Sequence, residues 1–150
     1  MHTKAVNISG TGTVLAVEPG ASISAGKISV GGSSMFRVAG SGEISPEASI
    51  ELNDGAILGF EYSSRVNHPV LALKDDKSVT INGKVVVSIT SKDGIRPCSG
   101  MKVLTTGGKF AGVQVELAEG SPKWVRDVSV NDNGNIVVDV KRAASVIRIR

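Results

Sequence analysis

The chain has little of what large enzyme pockets and redox chemistry draw on. It holds one cysteine, Cys98, in 150 residues, which excludes an intrachain disulfide. A lone cysteine is in most settings a small packed residue, and no recognisable motif brackets this one. Aromatic residues are only 3% of the chain while apolar residues are 41%. The core must therefore be built from Val, Ile, Leu and Ala, which suits thin repetitive β structure better than a ring-lined pocket. The two histidines are His2, near the N-terminus, and His68, followed by Pro69. No window carries apolar residues at helical spacing over three turns, and no stretch is long enough to span a bilayer. The N-terminus, MHTKAVNISG, has no apolar signal segment. It fits a cytoplasmic protein or a piece cut from a longer secreted one. A net charge of +3 is too mild to argue for nucleic acid, and sparse rings offer few stacking platforms.

What the chain has is glycine, 18 residues of it, and short alternating runs. The runs are Thr13–Val17, Ser22–Val30, Met35–Val38, Ser49–Leu52, Ala56–Tyr62, Val70–Lys74, Ser78–Asn82, Lys84–Thr90, Lys102–Thr105, Val113–Leu117, Trp124–Val130, Asn135–Lys141 and Ser145–Arg150. About one strand per ten residues is the spacing of an all-β fold. Alternation assigns faces. Val85, Val87 and Ile89 point one way, and Ile136, Val138 and Val140 point inward with Asp139 and Lys141 outward. In the last run Ile147 and Ile149 oppose Arg148 and Arg150.

The first half repeats itself. VEPGASISAGKISV (17–30) and ISPEASIELNDGAIL (44–58) share a Pro-containing turn, Ala-Ser-Ile, a glycine-bearing turn and a second apolar strand, with a looser copy between them. A spacing of roughly 20–27 residues is that of one solenoid coil, which buries its apolar face only by stacking on its neighbours. These features predict a single all-β domain whose residues 7–64 are coils of a parallel β-helix. The second half reads as antiparallel hairpins at KDDK (74–77), NGK (82–84) and NDNGN (131–135). It predicts a cap over 65–141 that covers the open edge, with a terminal basic strand over 142–150. A β-sandwich shares the period-two pattern and stays open as the alternative.

Charge placement marks the surface groups. Glu43, Glu47, Glu51, Asp54 and Glu61 fall in a stretch with no Lys or Arg, while Lys141, Arg142, Arg148 and Arg150 fall in one with no acid. The plain reading is two solvated surfaces. The sharper one makes Glu43, Glu47, Glu51 and Glu61 an acidic wall for Arg142, Arg148 and Arg150 of a neighbouring chain, joined by β-augmentation of the strand SVIRIR.

Catalytic patterns are thin. No G-x-S-x-G elbow occurs. A Ser-His-Asp site would need His68 with Asp75 or Asp76, and a thiol pair would need Cys98 with His68. Paired carboxylates for sugar cleavage would be Glu51 with Glu61, or Asp54 with Asp75. Asp132, Asn133 and Asn135 have oxygens for calcium, yet a hairpin turn explains the same residues. Gly10-x-Gly12 lacks the rest of a dinucleotide fingerprint. The expectation is no enzyme, no metal and no cofactor.

GTVLAVEPGASISAGKISV followed by GEISPEASIELNDGAILGFEYS resembles the β-helical passenger repeats of bacterial autotransporters, and in particular the autotransporter-associated β-strand repeat proteins. The repeat phrase is carried by Gly10, Gly12, Val14, Ala16, Gly20, Ala21 and Ile23. Gly100 through Phe110 is similar to a closing-segment phrase of that family, and Asn133 through Val140 to its final strand. The resemblance covers most of 8–141, in motifs that describe turns and strands. These 150 residues do not include the family's membrane-anchoring barrel, and they run past Val140 into KRAASVIRIR; the expectation is an excised domain or a stand-alone relative. The resemblance implies an exported, extracellular or cell-surface bacterial protein with an adhesive or scaffolding role. Its expected partners are protein, through self-association or neighbouring repeats, and a surface glycan. A carbohydrate-active β-helix and a phage or particle structural protein are the alternatives.

Overall fold

The computed structural model describes residues 3–18, 21–40, 42–63, 68–74, 77–91, 95–105 and 114–141. These residues form fourteen strands and contain no helix. The chain runs through β1 (Thr3–Ile8) and β2 (Val14–Val17), then β3 (Ser24–Val30), β4 (Met35–Gly40) and β5 (Gly42–Ile44). It continues through β6 (Glu47–Asn53), β7 (Ala56–Tyr62) and β8 (Pro69–Ala72), then β9 (Val79–Asn82), β10 (Lys84–Ser91) and β11 (Cys98–Thr105). β12 (Gln114–Leu117), β13 (Val125–Val130) and β14 (Ile136–Val140) complete it.

Three sheets take these strands in turn. The first has the order β1-β3-β6-β9, the second β12-β10-β7-β4-β2, and the third β13-β14-β11-β8-β5. Three times the chain passes from the first sheet to the second to the third, each new strand pairing parallel with the one laid down a circuit earlier. Parallel pairing in register places like on like. Val6, Ile28, Ile50 and Val79 stack in the first sheet, as do Ile8, Val30, Leu52 and Ile81. In the second sheet Leu15, Phe36, Leu58, Val87 and Leu117 stack. Ile44, Leu71, Leu104 and Ile136 do so in the third. Most of these residues are buried, and they make one continuous aliphatic core with Phe36 and Phe60 its largest fully buried members.

The predicted faces hold for the Lys84–Thr90 and Asn135–Lys141 runs, while those of Ser145–Arg150 lie outside the described residues. Val85, Val87 and Ile89 are buried, as are Ile136, Val138 and Val140. The predicted connectivity of the second half does not. Asn82-Gly83 closes no hairpin: β9 lies in the first sheet and β10 in the second, so the pair turns a corner. KDDK likewise leads from β8 in the third sheet to β9 in the first. Among the described residues antiparallel pairing is confined to β11, β14 and β13. NDNGN does close the β13–β14 hairpin, with the Asn131 N–H donating to the Asn135 carbonyl at 3.0 Å. Three sheets with mostly parallel pairs are also not the two antiparallel sheets of a sandwich. Two strands were invisible in the alternation: β1, and β5, which is only three residues long. The terminal basic strand over 142–150 lies outside the described residues.

The corner between the first two sheets is built from backbone. The Gly12 N–H donates to the Ser33 carbonyl, the Ser33 N–H to Gly55, and the Gly55 N–H to Lys84, at 2.8–3.1 Å. Each turn thus hangs on the next circuit. Gly55 and Gly83 hold φ of 78° and 102° here, a region open to glycine at no steric cost. Ser33 adopts φ 62° without that freedom. Asn53 Nδ2 donates to the Val30 carbonyl, and Asn82 Nδ2 to Asn53 Oδ1, so side-chain amides stitch the same corner.

Candidate functional site

The acids that sequence reading groups into one wall lie on three sheets. Glu43 belongs to β5 in the third, Glu47 and Glu51 to β6 in the first, and Glu61 to β7 in the second. The chain turns a corner at Ser45-Pro46 and again at Asp54-Gly55, which separates them. Glu47, Glu51 and Glu61 are each paired within the chain with a base one circuit away. Lys27 Nζ pairs with Glu51 Oε2, Lys74 Nζ lies 2.9 Å from Glu47 Oε1, and Arg37 Nη1 lies 3.4 Å from Glu61 Oε2. Glu51 also accepts from Asn82 Nδ2 at 3.1 Å. Arg142, Arg148 and Arg150 lie outside the described residues, so no pairing with them is described.

This distribution removes one catalytic pair. Glu51 and Glu61 project from different sheets and cannot flank one glycosidic bond. Asp54 Oδ1 is occupied by the Lys84 N–H at 2.8 Å, and Asp75 and Asp76 lie outside the described residues. Asn131 Oδ1 accepts from the Asn133 and Asn135 N–H groups, which ties the NDNGN segment into its turn. Among the described residues no group of three His, Cys, Asp or Glu is placed to hold a metal.

One cluster of ionisable and soft side chains gathers where the second sheet meets the third. Tyr62 is buried, stacks on His68 with ring centroids 5.6 Å apart, and directs its hydroxyl to Met101 Sδ at 3.3 Å. Burial pushes the Tyr62 phenol well above its ordinary range, and the nearby Cys98 adds to the effect. Burial lowers the His68 imidazole, against the opposing pull of a hydrogen bond to the Lys102 carbonyl. The Cys98 thiol is pushed up by desolvation and then by Asp139. A catalytic thiol needs the opposite shift. Asp139, and not His68, is the charged group acting on Cys98, so nothing here activates the thiol.

A concavity lined by described residues lies on the outer face of the second sheet, a cleft of about 620 Å³. It exists because β7 carries glycine at an outward position. Register sets Arg37, Gly59 and Ser88 side by side across β4, β7 and β10, with Glu61 beside Thr90 in the next row. A Cβ on Gly59 would meet Met35 Sδ at 2.9 Å and Arg37 Cγ at 3.2 Å, so both side chains lean over the glycine. Arg37 is held between two carboxylates, Nη2 to Glu18 Oε1 at 3.0 Å and Nη1 to Glu61. Its Nε–H is shielded from solvent and meets no acceptor among the described residues. Sequence reading picked out Glu61 here but missed Arg37, Glu18 and Gly59. The signal was available: Glu18 and Arg37 stand 19 residues apart and Glu47 and Lys74 stand 27 apart. These separations are close to one repeat, so register brings opposite charges together.

No known protein family, curated protein or solved structure matches the chain.

Proposed function

We propose that this chain is a non-enzymatic scaffold, a parallel β-helix whose three sheets are the walls of a stacked coil, from an exported bacterial surface protein. The observation that supports it is the repeated passage through the three sheets with like residues in register. Such an arrangement makes each coil dependent on its neighbours and turns outward positions into long, regular faces. A surface built that way suits adhesion or display. The likeness of its repeat phrase to autotransporter passenger coils is the reason for placing it outside the cell. Inter-coil ion pairs at Glu47, Glu51 and Glu61 fit a wall that satisfies its own charge. Assembly, where it occurs, then falls to backbone edges and to the basic segment Arg142 to Arg150. Of the carbohydrate reading, binding keeps support and cleavage by Glu51 with Glu61 does not.

Two measurements test the proposal. A reducing-sugar assay on bacterial and plant polysaccharides should show no turnover; turnover abolished by Glu61→Gln would overturn the scaffold reading. Light scattering on a size-exclusion column, for 1–150 and for a chain ending at Lys141, at low and high salt, addresses assembly. A defined oligomer lost on truncation makes the basic strand the assembly element. A monomer throughout removes self-assembly and leaves display of ligand-binding faces.

A further inference from the structure

We infer that the cleft over Gly59 on the second sheet is a binding site for an uncharged oligosaccharide. The inference rests on the cleft's own chemistry and stands apart from the exported-protein reading. A volume of about 620 Å³ lies within the size range of small-molecule sites. A docked protein, in contrast, covers about 800 Å² on each partner, far more than a local depression offers.

The lining groups match a polyol. A sugar hydroxyl both donates and accepts, and so do the hydroxyls of Ser88 and Thr90 on the cleft wall. These two residues sit on the same face of β10, about 6.6 Å apart along the strand. Opposite them the Arg37–Glu61 pair presents donors and acceptors already fixed in position. Little rotamer entropy is left to lose when a ligand binds there. Between the polar walls, Met35 and the bare backbone of Gly59 form an apolar strip for the C–H face of a ring.

Charge selects the class. One guanidinium is set between two carboxylates, Glu18 and Glu61. The local sum is negative, so uronates, sialic acids and phosphates are repelled. The rings of Phe60 and Tyr62 are buried beneath the floor and give no stacking platform. Affinity is therefore modest, carried by hydrogen bonds.

The test is amide chemical-shift mapping by NMR on the full chain. The uncharged probes are cellotetraose, maltotetraose and N-acetylchitotetraose, and the anionic one is tetragalacturonate. At least one uncharged probe should give saturable shifts centred on the amides of Gly59, Ser88 and Thr90. Gly59→Val fills the cleft and should weaken binding at least tenfold, a loss of about 1.4 kcal/mol. Its closest contact is with Met35 Sδ, near the end of a flexible side chain that can swing aside, and no backbone atom is among the atoms it meets, so the sheet keeps its register. Ser88→Ala, which removes only a hydroxyl, gives an independent reading with the fold intact. No saturable shift with any uncharged probe overturns the inference. So does equal binding by wild type and both variants, or tighter binding of tetragalacturonate.

Discussion

Asp54 and Lys84 meet across the first corner of the fold: the Lys84 backbone N–H donates to Asp54 Oδ1 at 2.8 Å, joining two successive circuits. The contact uses no charge on the lysine. It satisfies a backbone donor at the start of β10, where the chain has just left the first sheet. Asp54→Ala should cost about 1 kcal/mol, the net worth of one such hydrogen bond. Asp54→Asn keeps an acceptor and should cost less. Urea unfolding of the two variants separates them. Equal stability of Asp54→Ala and wild type would mean that water replaces the carboxylate without loss.

Gly55 and Gly83 occupy the same corner, and both hold positive φ. Gly55→Ala should cost about 1–2 kcal/mol, the strain of an L-residue in the left-handed region. Gly83→Ala should cost more, because its Cβ would stand 2.5 Å from Asp54 Oδ1 and 2.9 Å from Cγ. The two effects at Gly83 can be told apart in an Asp54→Gly background, where the steric part disappears. A double-mutant cycle with no coupling between positions 54 and 83 would refute the clash.

His68 makes stability depend on pH. Its pKa is lowered from 6.5, chiefly because the ring is taken out of water against Tyr62. The unfolded chain therefore binds a proton at a pH where the folded chain does not. Stability is complete above about 6.5 and is lost as pH falls through the folded value. The urea midpoint of wild type should drop on acidification across this range. His68→Phe, which keeps the stacking on Tyr62, should flatten that part of the profile. An unchanged slope in the variant assigns the effect to another group.

The sequence carried the strands and their faces but not their partners. Alternation in Lys84–Thr90 marks Val85, Val87 and Ile89 as inward whichever strand lies alongside, because period two depends on the pleat alone. Pairing direction is different. Asn-Gly tolerates positive φ equally well in a hairpin and in a corner, so Asn82-Gly83 and Asn133-Gly134 look alike on paper. The first joins two sheets and the second joins neighbouring strands. The acidic stretch misled for the same reason. Residues near in sequence around a corner face outward in different directions, while residues one circuit apart become neighbours. Arg37 and Glu61 belong to that second kind, and only a register shows it.

Cys98 offers a direct view of the third sheet's chemistry. The thiol is exposed, so a reagent reaches it, yet its pKa is raised from 9.0, first by desolvation and then by Asp139. Asp139 is fixed in place: its Oδ1 accepts from Ser99 Oγ at 3.0 Å and from the Gly100 N–H at 2.7 Å. Only the thiolate alkylates. Folded protein should therefore react with iodoacetamide more slowly than the unfolded chain at mildly alkaline pH. Asp139→Asn keeps an oxygen for Ser99 and Gly100 but removes the negative charge. It should speed alkylation part of the way toward the unfolded rate, since desolvation remains. The same shift has a stability consequence of opposite sense to that of His68. The unfolded thiol ionises first as pH rises past 9.0, so folding loses stability there rather than gaining it. A folded chain that alkylates as fast as the unfolded one would remove Asp139 and burial as controls on this thiol.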